Sequence, residues 1–287
     1  MFRYKGLKVK SDDADLPHTR KELFKTIVRD DFYLLAELSV LMFLFSIPVA
    51  VGFVWEILAL TGTPDQTPAT LFSIAFYMGL IEIPLFGIRY IGRHAAFAVM
   101  KKRVHNEAGY VKVIFFEDLK KGALKGFLIG CVLGLVVFVW QIASIYVLAF
   151  NTNTWIKGLG IGSTTLLFMI GYAAVEYFLS IDNFYELKFL GALKNGFSFA
   201  IMHFPLSGLY FLATMGLPFI LTLFSTWSLI GIAAVFALWA DGVSVLVVTL
   251  YSHTLFDRYI NSVYYTDYIN KGLSAEEPTG EKEKKNG

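Results

Sequence analysis

The chain has 287 residues, of which 56% are hydrophobic and 17% are charged, and its mean hydropathy is +0.58. A soluble globular domain of this length needs more charge on its surface, so the composition excludes that class and indicates a membrane protein. The net charge of +2 is close to neutral, and the single cysteine, Cys131, excludes an intramolecular disulfide.

Residues 1–33 are predicted to form a cytoplasmic tail and a surface helix. The helix is expected to begin at Thr19, because Thr19 and Glu22 have the spacing of a capping box. Its apolar residues fall on one face, which predicts either a helix lying in the membrane interface or a solvated extension of the first span. The first long apolar run begins near residue 34 and is too long for a signal peptide. The apolar face consists of Leu23, Phe24, Ile27 and Val28.

Residues 34–253 are predicted to form a membrane domain, because several apolar runs reach the roughly 20 residues that cross a bilayer. Pro48 is expected to kink the first span, and Pro205 and Pro218 either kink or break the fifth. The predicted fold class is therefore all-α, a polytopic membrane helix bundle of about six transmembrane helices with cytoplasmic amphipathic elbows. The expected spans are approximately 34–55, 71–91, 123–150, 159–181, 197–224 and 229–251.

Two connecting regions complete this prediction. Residues 92–121 are expected to form a long basic connection, broken near Asn106–Gly109. Residues 254–287 are expected to form a cytoplasmic amphipathic segment, followed from Ser274 by a tail of disordered composition.

The distribution of basic residues predicts the orientation. With six spans, every lysine and arginine except Lys157 falls on one side of the membrane, which the positive-inside rule assigns to the cytoplasm. Three tryptophans fall at the outer ends of their predicted spans, away from the cytoplasm, as expected of an aromatic belt: Trp55, Trp155 and Trp227. The chain is therefore predicted to be a multi-pass protein with both termini in the cytoplasm.

Small residues recur every fourth position at two places, and we interpret both as helix-packing stripes. The first lies in a segment that reads GALKGF at residues 122–127, and the second in GALKNGF at residues 191–197. A general enrichment of membrane helices in glycine is the alternative explanation. The similarity of these two segments suggests that a unit of helix, elbow and returning helix occurs twice in the same orientation, unless so short a similarity is chance. The stripes consist of Gly122, Gly126, Gly130, Gly134, Ala192, Gly196 and Ala200.

Motifs for common enzyme classes are absent from the sequence. There is no P-loop, no HExxH, no GxSxG and no pair of cysteines, and the five histidines lack the spacing of metal ligands. We therefore expect no catalytic residues, no metal and no cofactor, and predict that the chain is not an enzyme.

Ionisable residues within the predicted spans are the main candidates for a functional site, because a charge at membrane depth is expensive. Glu82 and Arg89 are two helical turns apart on one face, so they are expected to be linked through water or a partner helix. Glu176 and Asp241 lie in the fourth and sixth spans. These residues predict either a polar pathway or ion-coupling site, or hydrogen bonds that merely join helices.

Two groups near the elbow are candidates for contact with partners or with the membrane surface. One is basic and would attract anionic lipid headgroups, unless it reflects only the positive-inside bias. The other is aromatic and acidic, and would dock a partner or anchor the elbow in the headgroups. The residues are Lys101, Lys102, Arg103, Phe115, Phe116 and Asp118.

Three segments carry a resemblance to a known family. IPLFGIRYIGRHAAFAVMKK, then GYVKVIFFEDLKKGALKGFLIG, and finally LFDRYIN resemble the YesL-type family of small bacterial integral membrane proteins, over roughly residues 30–265. In that family a glycine-proline pair is usual after the proline of the second span, whereas here Gly92 is followed by Arg93. The loop of residues 61–70 also has the character of an insertion.

The resemblance implies a location and supplies a context for the role. The family is found in Gram-positive bacteria beside genes for carbohydrate uptake, which implies the bacterial plasma membrane. The molecular role of the family is poorly defined, so our first hypothesis takes only its context from the resemblance. That hypothesis is a non-enzymatic accessory subunit that binds the permease part of an ATP-driven sugar importer. A secondary transporter or channel with a polar path through the bundle is the alternative, and a membrane-bound sensor or assembly factor is a third hypothesis. The expected partners are therefore membrane lipids and permease subunits, and no nucleic acid.

Overall fold

The structure is a computed structural model, and it describes residues 16–64, 67–107, 109–151, 153–211 and 235–274. The secondary structure of these residues is helical, in agreement with the all-α prediction. The helices are α1 (Arg20–Asp30), α2 (Phe32–Gly62), α3 (Pro68–Val104), α4 (Val111–Phe150), α5 (Thr154–Phe184), α6 (Phe189–Met202), α7 (Phe204–Phe211) and α8 (Asp241–Phe256).

Four of these helices, α2 to α5, are long and apolar enough to cross a membrane, as expected of a multi-pass membrane protein. These four helices do not establish the prediction of six spans. Helix α6 is apolar but shorter, and most of the remaining predicted fifth span and the start of the sixth fall in residues 212–234, outside the described residues.

The basic region of residues 92–121 is interrupted near Asn106–Gly109, as predicted. Helix α3 continues to Val104 and α4 begins at Val111, so the connection is limited to residues 105–110. Asn106 turns the chain there with a φ of 55°, which asparagine tolerates better than most residues. At 1.5 Å per residue α4 is about 60 Å long, roughly twice the thickness of the hydrocarbon core. Both helices therefore extend beyond the bilayer. The end of the bundle at which α3 and α5 end, and at which α4 begins, is called the basic end.

The glycines of the first stripe bring α4 directly against the backbone of α3. A Cβ atom at Gly126 would lie 2.8 Å from the carbonyl oxygen of Tyr90, and one at Gly130 would overlap the carbonyl oxygen of Phe86. Gly134 meets the backbone of Ile83 in the same way. Because backbone atoms cannot rotate aside, these positions require glycine.

The second stripe has the same relation to the helix that precedes it. A Cβ atom at Gly196 of α6 would lie 2.5 Å from the carbonyl oxygen of Ala174 in α5. Ala192 and Ala200 are fully buried on either side. The α5–α6 pair therefore repeats the packing of the α3–α4 pair, although Gly191 has no neighbour that a Cβ would meet.

Helix α1 begins where the sequence predicts, since the Thr19 hydroxyl accepts a hydrogen bond from the Glu22 backbone N–H at 3.1 Å. Leu23 and Ile27 of its apolar face are buried within the protein, where α1 packs against α8. A position of this helix in the membrane interface stays a prediction. The chain after α8 returns to the same place, where the Ser274 N–H donates to the Pro17 carbonyl.

Candidate functional site

An arginine that the sequence analysis did not select, Arg93 of α3, lies at the centre of a buried ion-pair network. Its Nε and Nη2 atoms donate to the two carboxylate oxygens of Glu176 at 2.8 and 3.0 Å, the bidentate geometry that guanidinium favours. Its Nη1 donates to Asp241 at 3.0 Å, and Nη2 also reaches the Ser244 hydroxyl at 3.3 Å. The Tyr90 hydroxyl donates to Glu176 at 2.9 Å. One cation thus joins α3, α5 and α8.

This network is closed to solvent. Arg93, Glu176 and Asp241 are 4%, 1% and 7% exposed, so each charge depends on the others for stabilisation. A π-helical turn at Phe236–Ala240 directly precedes Asp241 and sets where its carboxylate points. The network brings together two of the carboxylates that the sequence analysis selected, Glu176 and Asp241.

The other two selected residues, Glu82 and Arg89, take no part in it. Glu82 lies instead beside Glu56 of α2 and Gln141 of α4, neither of which was selected. A link between Glu82 and Arg89 through water or a partner helix stays a prediction. A sequence signal for Arg93 did exist, since Tyr90, Arg93 and Phe97 recur at the spacing of one helix face.

A second polar cluster lies next to the network, at the basic end. His94 follows Arg93 on α3, and its ring contacts Asp118 of α4 at 2.7 Å and Asp182 of α5 at 3.1 Å. Lys125 of α4 donates to the other oxygen of Asp182 at 2.6 Å. These residues line an open cavity of about 350 Å³ among the three helices. The cavity is lined by side chains of both signs of charge.

The candidate surface residues divide between the interior and the exterior. Lys101 is buried and donates to the Asn183 carbonyl at 3.0 Å, and Arg103 binds Asp31. Two of the three basic residues assigned to lipid headgroups therefore bind the protein, while Lys102 lines the cavity.

The two adjacent phenylalanines of the elbow also have different surroundings. Phe115 is completely buried, where its ring contacts those of Phe45 and Phe116. Phe116 is 49% exposed on the outer face of α4, so it alone of the pair is available to a partner.

The N- and C-terminal parts of the described chain meet at the basic end in a chain of polar contacts. Arg20 donates to His253 Nδ1 at 2.7 Å, and His253 Nε2 lies 3.0 Å from His105 Nε2. An arginine can only donate, so His253 accepts at Nδ1 and carries its proton on Nε2. That proton is donated to His105, whose own proton is then on Nδ1, 3.7 Å from Glu107. Lys271 closes the chain by donating to Glu107 at 2.9 Å.

This chain of polar contacts between Arg20 and Lys271 is sensitive to acid. Burial lowers the pKa of His105 to about 3. Burial alone would raise the pKa of Glu107, but the nearby His105 ring and the hydrogen bond from Lys271 outweigh it and lower the pKa to about 2. Both folded-state values lie below the unfolded ones, so the stability that these groups contribute is present above the unfolded pKa and is lost as the pH falls.

We expect the full chain in detergent to lose thermal stability as the pH falls from 7 to 3, because the unfolded state binds a proton at His105 below about pH 6.5 and at Glu107 below about pH 4.5, whereas the folded state resists both. Glu107→Gln should cost about 1–3 kcal/mol at pH 7, because the variant loses a charged hydrogen bond, and should flatten the lower part of the pH profile. Glu37→Gln, which alters a more exposed carboxylate, is the control. A profile of Glu107→Gln identical to that of the wild type would contradict the assignment.

No group of three or more histidine, cysteine, aspartate or glutamate side chains with the arrangement of a metal site occurs within the described ranges. Comparison of the chain with protein-family models, curated proteins and solved structures finds no match in any of the three. The resemblance to the YesL-type family therefore remains a hypothesis that rests on the quoted motifs.

Proposed function

We propose that the chain is a non-enzymatic accessory membrane subunit that binds the permease part of a carbohydrate importer in the bacterial plasma membrane, with both termini in the cytoplasm. The observation that carries this proposal is the Arg93 network. Glu176 and Asp241, which would have lined a polar path, are instead held by one arginine in a closed, buried cluster. Their geometry favours a rigid scaffold over a route for solutes.

The elbow supplies a surface that suits a partner. The first residues of α4 extend well beyond the hydrocarbon core, as the length of the helix requires. Tyr110, Val113 and Phe116 are exposed there, with Lys112 and Glu117 beside them. Exposed aromatic side chains next to charges of both signs are typical of binding surfaces between proteins. The charged cavity lies next to this surface, because Glu117 also lines it, and it would receive a polar loop of the partner.

Co-purification from the native host tests the proposal. The tagged wild-type chain, extracted in mild detergent, should recover importer permease subunits at a fixed stoichiometry. Phe116→Asp should reduce that recovery at least about tenfold, as loss of a binding hot spot of 1.4 kcal/mol or more requires. The measurement is quantitative mass spectrometry of the eluate, with monodispersity on gel filtration as the check of folding.

Tyr33→Asp is the matched control, because Tyr33 is an exposed aromatic residue at the basic end of another helix, α2. It should leave permease recovery unchanged. Absence of permease subunits from the wild-type eluate, or equal recovery with Phe116→Asp, would contradict the proposal.

A secondary transporter or channel is the second candidate, and Glu82 is the observation that favours it. This carboxyl group is buried at membrane depth and is not paired with Arg93. Proton- or sodium-dependent uptake by the purified protein in liposomes, abolished by Glu82→Gln, would support it. Asp241→Asn is a poorer choice, since that change also breaks the ion pair with Arg93.

A further inference from the structure

Two carboxyl groups face each other in the half of the bundle farther from the basic end. Glu56 of α2 is 5% exposed and Glu82 of α3 is 1% exposed. The amide nitrogen of Gln141, on α4, donates to one oxygen of Glu56. Both oxygens of Glu82 and the amide oxygen of Gln141 are buried without a donor. The site therefore holds five acceptor oxygens and one donor group from three helices.

Among the residues that the structure describes, no basic side chain forms an ion pair with Glu56 or Glu82. Glu56 is the titratable group that faces Glu82 from α2, and the residue from α4 is the neutral Gln141. Glu176 of α5 and Asp241 of α8 are bound by Arg93, about 17 Å farther along the helix. Two adjacent carboxylates that share a buried site cannot both be ionised without a large cost.

The side chains around the pair hold it in place. A Cβ atom at Gly52 would lie 3.6 Å from Cγ of Glu82, so α2 passes directly over the Glu82 side chain. On α3, a Cβ atom at Gly79 would lie 3.5 Å from the amide oxygen of Gln141. Close packing at these two glycines leaves little room for the side chains of Glu82 and Gln141 to move away.

We propose that Glu56 and Glu82 together bind one proton, taken from water, and form a proton-binding site within the membrane domain. The proton makes the O–H group of one carboxyl, which donates to an oxygen of the other. The pair then carries a single negative charge, which the Gln141 amide stabilises. This inference does not depend on the importer proposal, because it concerns the charge state of a buried pair whatever the protein binds.

Loss of the proton has a consequence for the junction of α2, α3 and α4. Deprotonation places two negative charges side by side in a medium of low dielectric, so the helices are driven apart. The folded state binds a proton that the unfolded state has released at neutral pH. The stability that the pair contributes therefore falls as the pH rises.

Infrared difference spectroscopy of the full chain in lipid nanodiscs tests the proposal. The wild type at neutral pH should show the carbonyl stretch of a protonated carboxylic acid, which disappears on alkaline titration. Glu82→Gln and Glu56→Gln should each remove this band, since the remaining carboxylate no longer has a charged neighbour to share a proton with. Glu37→Gln is the control and should keep it.

Sodium is the other cation that a pair of carboxylates binds, so the titrations are compared with and without sodium. Titration in sodium chloride and in choline chloride should give the same midpoint if the site binds a proton alone. A protonated band that survives in both glutamine variants, or a midpoint lowered by sodium, would overturn the proposal. If Glu82→Gln fails to fold, Glu56→Gln carries the same test, because it removes the other half of the pair.

Discussion

Replacing Arg93 by alanine should lower the free energy of unfolding by about 3–5 kcal/mol, the largest effect expected of any single substitution here. The change leaves Glu176 and Asp241 buried with no cation, and removes three hydrogen bonds to carboxylates. Each carboxylate must then take up a proton or draw in water, and either response loosens the junction of α3, α5 and α8. Reversible unfolding of the full chain in mixed micelles measures the loss.

Arg89→Ala is the matched control. Arg89 lies one turn earlier on the same helix, is partly exposed and belongs to neither carboxylate cluster. Its removal should change the free energy of unfolding by less than about 1 kcal/mol, as expected of a side chain outside such features. Equal losses from Arg89→Ala and Arg93→Ala would show that the network does not hold the helices together.

Gly130→Ala should destabilise the protein by about 2 kcal/mol or more. The added methyl group meets the carbonyl oxygen of Phe86 and the Cα of Gly87, which are backbone atoms, so α3 and α4 must separate along their whole contact. That cost exceeds the roughly 1 kcal/mol that alanine gains over glycine within a helix. Thermal unfolding followed by intrinsic fluorescence measures the difference.

Gly162→Ala is the control for Gly130→Ala, and it should not destabilise the protein. A Cβ atom at Gly162 of α5 has no neighbour within 4 Å, so only the helix propensity changes. This variant should be as stable as the wild type or up to about 1 kcal/mol more stable. Destabilisation of both variants to the same degree would argue against close backbone packing at Gly130.

Composition and periodicity are sufficient for the coarse fold. Long apolar runs predict the α-helices and the membrane environment, and the cap at Thr19 predicts where the first helix begins. The break near Asn106–Gly109 is predicted as well, but the sequence does not show how far α3 and α4 continue beyond the apolar runs on either side of it. The charged residues there remain helical since α3 and α4 pack against each other beyond the bilayer, a tertiary effect that hydropathy does not record.

The candidate site was only partly predictable for a similar reason. Carboxylates in apolar runs are visible in the sequence, which is how Glu82, Glu176 and Asp241 were selected. Their partners depend on which helices meet and at what rotation. Arg93 was passed over because it lies at the edge of an apolar run, and Glu56 because it lies next to Trp55 near the end of the first span. Which side chains pair across helices depends on the tertiary structure and is not visible in the sequence.

The central claim is that the buried charges around Arg93 stabilise the bundle and do not form a path. The most direct measurement compares the unfolding free energies of Arg93→Met and of the triple variant Arg93→Met, Glu176→Gln, Asp241→Asn. Replacing a whole buried ion cluster by neutral groups is often tolerated, whereas removing one member is not. The account predicts that the triple variant recovers most of the stability that Arg93→Met loses. A triple variant as unstable as Arg93→Met would contradict it.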